Sequence, residues 1–148
     1  MRYTEKQIEE LLKTARLAEL NAPAEFWEAS PTKLCKICNG IGAEAWPAKL
    51  RDNATYFFRS IQATAAIHDL EYQESDATES SRRKADRRFL ANALAEIDYH
   101  YKWWNVKRYI AQRKAHIAYD ALAYGGRCAW LEGFLLNDKP KGASRASH

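Results

Sequence analysis

The 148-residue chain lacks the features of small secreted proteins and of membrane-spanning ones. It has three cysteines, an odd number and too few for a disulfide framework, which favours reduced, intracellular synthesis. No run of residues reaches the roughly 18 consecutive apolar residues that a membrane helix needs. The first residues, Met-Arg-Tyr-Thr-Glu-Lys-Gln, contain no apolar stretch of the kind found in a signal peptide. We therefore expect synthesis in the cytoplasm without a signal peptide.

Glycine and proline are also scarce, with six and four residues, and most of them lie between segments of helical periodicity. Hydrophobic residues make up 47% of the chain and charged residues 28%, as in ordinary globular domains. The length suits one domain with a substantial core. The sequence therefore predicts an all-α fold, with a single helical domain over residues 1–136 and a flexible C-terminal tail over residues 137–148.

The apolar periodicity places the helices along the chain. Thr4 and Gln7 have the spacing of a capping box, which marks the start of the first helix. Residues 21–53 hold three of the four prolines and look like a long irregular segment. The predicted helices cover residues 4–20, 54–73, 79–98, 99–124 and about 127–136, and the fourth of them ends at Gly125-Gly126.

The formal net charge is +4 and the pI is about 9, which favours anionic partners such as acidic lipid, nucleic acid or a phosphate-bearing ligand. Solubility alone explains so small an excess equally well. Arg82, Arg83 and Arg87 crowd one and a half turns of the third helix. They suit contacts with lipid phosphates or another anion, and a solvated helix face is the alternative.

Aromatic residues are concentrated just after the third predicted helix, where Trp103 and Trp104 are flanked by three tyrosines. The sequence favours a core or packing surface for this cluster. A membrane-interface anchor is the alternative.

Four polar side chains stand where the second and third helices are otherwise apolar, namely His68, Asp69, Tyr72 and Asp86. The short turn between these helices makes an antiparallel pair, in which His68 and Asp86 lie about 7 and 10 Å from the tip at 1.5 Å per residue. Tyr72 is one turn from His68 on the same face. This arrangement suits a histidine general base oriented by a carboxylate. A purely structural polar network fits the pattern equally well.

Asp69 projects about 100° around the helix from His68 and therefore faces a different wall of the site. A second carboxylate beside a base suggests a site for a hard cation such as calcium, with backbone carbonyls as further ligands. The segment from Cys38 to Gly42 contains Gly40 and is suited to curl around an ion, although a simple loop fits it as well. Cys35 and Cys38 are best interpreted as two reduced thiols rather than half a zinc site.

The two polar helices resemble those of the phospholipase A2 superfamily. Members carry His-Asp with a tyrosine four residues after the histidine, as in the sequence around His68, and a partner helix with Asp followed by Arg, as in Asp86-Arg87. The family calcium loop uses three carbonyls at alternate positions, a spacing that Cys38, Gly40 and Gly42 match. The resemblance covers residues 38–98 and is closest to small phage- or prophage-encoded members.

This resemblance implies calcium-dependent hydrolysis of the sn-2 ester of glycerophospholipids. It implies that His68 is the general base and that Asp86 and Tyr72 orient it. It also implies that calcium is bound by Asp69 and by three backbone carbonyls, those of Cys38, Gly40 and Gly42. The implied partner is a phospholipid membrane surface or micelle, with nucleic acid an unlikely partner and no signal for an oligomeric state. A phage-encoded member would be released by lysis or carried by the virion.

The chain also departs from the family pattern. A cysteine stands at the first loop carbonyl where most members have tyrosine, the spacer between Gly42 and His68 is long, and the cysteines that cross-link secreted members are absent. An inactive phospholipase A2-like scaffold, acting as a phage structural or host-interaction protein, is the alternative to an enzyme.

Overall fold

The computed structural model describes residues 3–38, 58–76, 78–120 and 122–123, and all regular structure in these ranges is helical. The prediction of an all-α fold is therefore confirmed for the described part of the chain. None of the described helices is long and apolar enough to cross a bilayer. The elements are α1 (Glu5–Leu17), α2 (Ala24–Glu28), α3 (Pro31–Ile37), a 3-10 turn (Arg59–Ile61), α4 (Gln62–Gln73), α5 (Glu79–His100) and α6 (Val106–Asp120).

Helix α1 begins as the sequence predicts. The Thr4 hydroxyl accepts a hydrogen bond from the Gln7 backbone N–H at 3.3 Å, and the Gln7 side chain accepts one from the Thr4 N–H at 2.8 Å. This reciprocal pair satisfies two donors that the first turn would otherwise leave open. The apolar stripe of the helix turns inward, with Ile8 and Ala15 fully buried.

The prediction of an irregular segment over residues 21–53 is wrong where the structure describes it, because α2 and α3 lie there. Pro31 occupies the first turn of α3, where its missing N–H costs nothing. The Ser30 hydroxyl caps the same helix by accepting from the Lys33 N–H at 3.2 Å. Pro23 is the N-cap residue immediately before α2. The prolines thus mark helix starts rather than a loop, and residues 39–57 lie outside the described part.

The continuous helix predicted over residues 99–124 is also wrong, because α5 ends at His100 and α6 begins at Val106. Tyr101 has extended backbone angles, which terminates α5. The Asn105 side chain accepts a hydrogen bond from the Lys107 N–H at 3.0 Å and caps α6. The predicted helix at 127–136, its preceding glycine stop and the tail at 137–148 lie outside the described residues.

Helices α4 and α5 run antiparallel through the middle of the described structure. Their side-chain contacts progress from Glu71 with Arg88 near the connecting turn to Thr64 with Glu96 far from it. One apolar cluster packs α4 against α1, α2 and α3, and a second packs α5 against α6 and the 3-10 turn. The polar seam between α4 and α5 therefore lies between two apolar clusters.

Two buried polar side chains on α5 hold neighbouring segments in place. The Glu96 carboxylate, 1% exposed, accepts from the backbone N–H groups of Ala63 and Thr64 at 3.1 and 2.8 Å. It thereby caps the N-terminus of α4, where a negative charge also complements the helix dipole. The Asn92 amide binds both backbone groups of Asn21 at 2.9 and 2.7 Å and fixes the connection after α1 to α5.

We predict that Glu96→Ala lowers the free energy of unfolding by about 2–4 kcal/mol, because two backbone donors and the Thr64 hydroxyl lose a charged acceptor in the core. Urea denaturation measures the change. Asp98→Ala is the matched control on the same helix, since its exposed ion pair with Arg108 contributes at most about 1 kcal/mol. Equal losses of unfolding free energy in both variants would show that the buried Glu96 cap stabilises the fold no more than an exposed ion pair does.

Candidate active site

The structure brings together the histidine, tyrosine and aspartate that the sequence predicts on α4 and α5. His68 Nε2 lies 3.1 Å from Asp86 Oδ1, and the Tyr72 hydroxyl donates to the same oxygen at 2.6 Å. His68 and Asp86 are buried, at 6% and 3% exposure. The antiparallel packing places Asp86 between the two α4 side chains that are one turn apart.

Arg82 completes the network from within α5. Its Nη1 donates to Asp86 Oδ2 at 2.7 Å, while its Nη2 donates to Glu79 at 2.9 Å. The side chain is 5% exposed, so its guanidinium faces the interior of the site and not the lipid-facing surface suggested by the sequence. Arg83 and Arg87 are exposed, and their contact with lipid phosphates or another anion stays a prediction. The spacing of four between Arg82 and Asp86 is the sequence signal for this pair.

The hydrogen-bond pattern assigns the proton on the His68 ring. Both oxygens of Asp86 accept hydrogen bonds, one from Tyr72 and one from the permanently charged Arg82, so Asp86 acts as a carboxylate acceptor. His68 then donates through Nε2, so the neutral form of the ring has its lone pair on Nδ1. Among the described residues, Nδ1 has no hydrogen-bond partner. The ring geometry thus presents Nδ1 as the basic atom.

Tyr72 is held as a hydrogen-bond donor. Burial raises the pKa of its phenol, and the hydrogen bond to Asp86 together with the negative charge of Asp86 raises it further, while Arg82 opposes these effects. The phenol therefore stays protonated at neutral pH and donates to Asp86. The ring centroids of Tyr72 and His68 lie 4.1 Å apart, and those of Phe89 and His68 lie 5.2 Å apart in an edge-to-face arrangement. Packing thus restricts the orientation of His68.

Asp69 lies on a different side of α4, next to the start of the predicted calcium loop. Burial raises the pKa of Cys38, and the negative charge of Asp69 adds to this effect. The Cys38 thiol donates to the Ala66 carbonyl at 3.6 Å, which holds the end of α3 against α4 one turn before Asp69. A hard cation such as calcium prefers oxygen ligands, so the Cys38 carbonyl rather than its thiol is the atom suited to bind one here.

The same region contains a tyrosine that sequence reasoning missed. The Tyr3 hydroxyl is buried and has no hydrogen-bond partner among the described residues. Burial raises the pKa of Tyr3, with Asp69 as the next cause. The neighbours Tyr3 and Cys38 therefore both remain neutral beside Asp69, and neither adds a second negative charge to the predicted cation site.

The remaining members of the predicted metal site, Gly40 and Gly42, lie outside the described residues. Within the described ranges, no group of three or more histidine, cysteine, aspartate and glutamate side chains is arranged to hold a metal ion. A site built from one carboxylate and backbone carbonyls, as predicted here, would not form such a group. Cys35 and Cys38 are free thiols, in keeping with the interpretation of two reduced cysteines.

A partly buried ion pair that was not predicted from the sequence joins α4 and α5 near their turn. Arg88 donates to Glu71 while the other Glu71 oxygen is buried with no partner among the described residues. Burial raises the pKa of Glu71, and the charge of Arg88 opposes the shift. Glu71 follows His68 by three residues, but its hydrogen bond is made with Arg88, so this pair fastens the two helices beside the network of His68 and Asp86.

Comparison of the chain with protein-family models, with curated proteins and with solved structures returned no match. The functional interpretation therefore depends on the geometry of the site.

We predict that Arg82→Met destabilises the fold by about 3–5 kcal/mol, because it leaves the buried Asp86 carboxylate without its cationic partner. Urea denaturation measures the change. Arg87→Met, on the exposed side of α5, is the matched control and should stay within about 0.5 kcal/mol of the parent. The double variant Arg82→Met with Asp86→Asn should recover part of the loss, since the uncompensated charge is then removed. Strict additivity of the two substitutions would contradict a direct interaction.

Acid should weaken the Glu79 end of this network. Hydrogen bonds from Arg82, followed by those from Arg83 and the charges of both arginines, lower the pKa of Glu79 to about 2. A carboxyl group whose pKa is lowered by folding stabilises the folded state at pH values above its unfolded pKa of about 4.5. This stabilisation is lost as the pH falls towards 2. We therefore predict that the difference in Tm between the parent and Glu79→Gln is constant above about pH 5 and shrinks between pH 4.5 and 2, as followed by circular dichroism. A difference that does not change with pH would contradict the assignment.

Proposed function

We propose that this protein is a calcium-dependent phospholipase A2-like hydrolase that cleaves the sn-2 ester of glycerophospholipids. The observation that supports the proposal best is the network in which Asp86 binds His68 through Nε2 and leaves Nδ1 as the basic atom. A general base needs this combination of a fixed tautomer, a fixed ring and an unprotonated nitrogen.

In the proposed reaction, His68 Nδ1 takes a proton from a water molecule as the water oxygen attacks the ester carbonyl carbon. The imidazolium that forms is stabilised by the Asp86 carboxylate, which Tyr72 and Arg82 hold in place as positioning residues. When the bond between the acyl carbon and the glycerol oxygen breaks, His68 returns the proton to the departing alkoxide. The products are a free fatty acid and a lysophospholipid.

Asp69 and the carbonyls of Cys38, Gly40 and Gly42 are the proposed calcium ligands. A bound calcium ion would supply polarisation of the ester carbonyl and stabilisation of the oxyanion. The contact of Cys38 with the Ala66 carbonyl at 3.6 Å, one turn before Asp69 on α4, supports this set. A carboxylate with backbone carbonyls is an all-oxygen ligand set, which suits a hard cation.

The first test is fatty-acid release from mixed phospholipid micelles, with calcium and with a chelator. We expect calcium-dependent release by the parent and a loss of about 100-fold or more in His68→Gln, because the general base is removed. His116→Gln, an exposed histidine on α6, is the matched control and should retain the parent rate. Circular dichroism verifies that each variant is folded. Fatty-acid release by His68→Gln at the parent rate would contradict the proposal.

The proposed calcium site has a separate readout in thermal unfolding. Calcium should raise the Tm of the parent in a saturable way, because a ligand that binds only the folded state stabilises it. This stabilisation should disappear in Asp69→Asn, while magnesium should be a poor substitute. A folded parent with neither fatty-acid release nor a calcium effect would instead favour the inactive scaffold as a phage structural or host-interaction protein.

A further inference from the structure

The exposed apolar side chains of the protein are concentrated in one stretch of the chain. In the described ranges, Leu17 is the one exposed large hydrophobic residue outside residues 99–117. The others are 45% to 73% exposed, and they are Tyr99, Trp103, Trp104, Val106, Tyr109, Ile110 and Ile117. Single exposed apolar residues are normal, but a contiguous set indicates a contact surface. The tryptophans therefore do not belong to the core, and their role as a packing surface or a membrane-interface anchor stays a prediction.

Helix α6 has two apolar stripes, and only one of them faces the protein. Ala111, Ala115 and Ala118 are buried against α5 and the 3-10 turn. At 100° per residue, Val106, Ile110 and Ile117 lie within about 40° of one another, and the centre of this stripe is roughly 125° around the helix from that of the alanines. The larger apolar residues thus face outward while the small alanines face the core.

The turn between α5 and α6 extends this apolar surface with two indoles. Trp103 and Trp104 are 73% and 61% exposed, and their rings meet edge to face at 5.7 Å. The Lys102 ammonium lies 5.1 Å from the Trp104 ring, so a cation adjoins the aromatic pair. The Asn105 backbone N–H donates to the Lys102 carbonyl at 2.9 Å and closes the turn. The indoles are therefore presented by an ordered turn.

The positive charge of the chain is concentrated at the same place. Residues 99–120 contain five lysines and arginines against the single acid Asp120, an excess equal to the net charge of +4 of the whole chain. Lys102 and Arg113 are exposed, and Arg113 lies about 20° around the helix from Val106, whereas Arg108 is partly neutralised by Asp98 at 2.8 Å. The surface thus combines exposed indoles, an apolar helix stripe and cations.

We propose that the turn at residues 101–105 and the outer face of α6 form a docking surface for anionic phospholipid bilayers. Tryptophan and tyrosine favour the headgroup region, aliphatic side chains enter the acyl boundary, and lysine and arginine are attracted to an acidic surface. All three components are present on this one surface. The choice of lipid as partner rests on the proposed function, since a phospholipid hydrolase must reach a bilayer.

Other occupants fit this surface less well. A second copy of the chain, docked through the same face, would place two strongly positive surfaces against each other, which opposes association. Nucleic acid would use the cations and the indoles but would leave the Val106, Ile110 and Ile117 stripe without an apolar partner. An anionic bilayer satisfies both the charge and the apolar stripe.

Vesicle binding tests this proposal without requiring turnover. The full-length protein is sedimented, in the presence of chelator, with vesicles of phosphatidylglycerol and phosphatidylcholine or of phosphatidylcholine alone. We expect binding to the anionic vesicles with a blue shift of tryptophan fluorescence, and at least about tenfold weaker binding to the neutral ones. Trp103→Ala with Trp104→Ala should weaken anionic binding at least tenfold. Leu17→Ala is the matched control and should bind like the parent.

A second variant tests the charge component separately. Lys102→Gln with Arg113→Gln should reduce the preference for anionic vesicles and the sensitivity of binding to salt, while the tryptophan blue shift on bound protein remains. Both residues are exposed, so the variants should fold like the parent, as circular dichroism and Tm verify. Parent-like binding by either double variant would overturn the proposal, as would a folded parent that does not bind.

The failure of this surface and the failure of the hydrolase are distinguishable. Hydrolysis of a dispersed, monomeric short-chain phospholipid depends on the site at His68 and not on the surface, so the tryptophan variant should retain it. Vesicle binding without any hydrolysis would support the surface and contradict the enzyme. If the parent does not bind vesicles but forms concentration-dependent dimers that the tryptophan substitutions abolish, the surface is assigned to a second copy of the chain.

Discussion

The buried carboxylate of Asp86 is the group on which the rest of the structure depends. It lies between two helices, and its two oxygens accept hydrogen bonds from His68, Tyr72 and Arg82. A carboxylate at this depth would be strongly destabilising without such partners. The interactions that make its burial possible also fix the histidine tautomer and the spacing of the helices. Stability and the candidate chemistry therefore arise from the same contacts.

The surrounding architecture explains why this network can be rigid. Two apolar clusters enclose the polar seam from opposite sides, so α4 and α5 cannot easily slide past each other. Glu96 caps α4 at one end of the seam, and the ion pair of Glu71 with Arg88 fastens the other. A reactive side chain on such helices is positioned more accurately than one on a loop.

The proposed lipid surface and the candidate site belong to consecutive elements. Helix α5 contributes Asp86 to the site and then leads into the turn that exposes Trp103 and Trp104. Arginines on α5 are divided between the two environments, because Arg82 turns inward to the carboxylate while Arg83 is exposed. Two arginines of the same helix thus have different roles, because they lie on different faces of it.

Periodicity and local hydrogen bonding were sufficient to predict the helical class, the cap at Thr4 and the approach of His68 to Asp86, because these depend on spacings within a helix or across one short turn. The inward orientation of Arg82 and the cap by Glu96 could not be predicted, since a buried charge is tolerated only when its partner is found in space. The same holds for α6. Its sequence contains an alanine stripe and a Val/Ile stripe, and helical periodicity alone does not select between them. Only close packing against α5, which admits the small alanines, turned the larger residues and the indoles beside them outward.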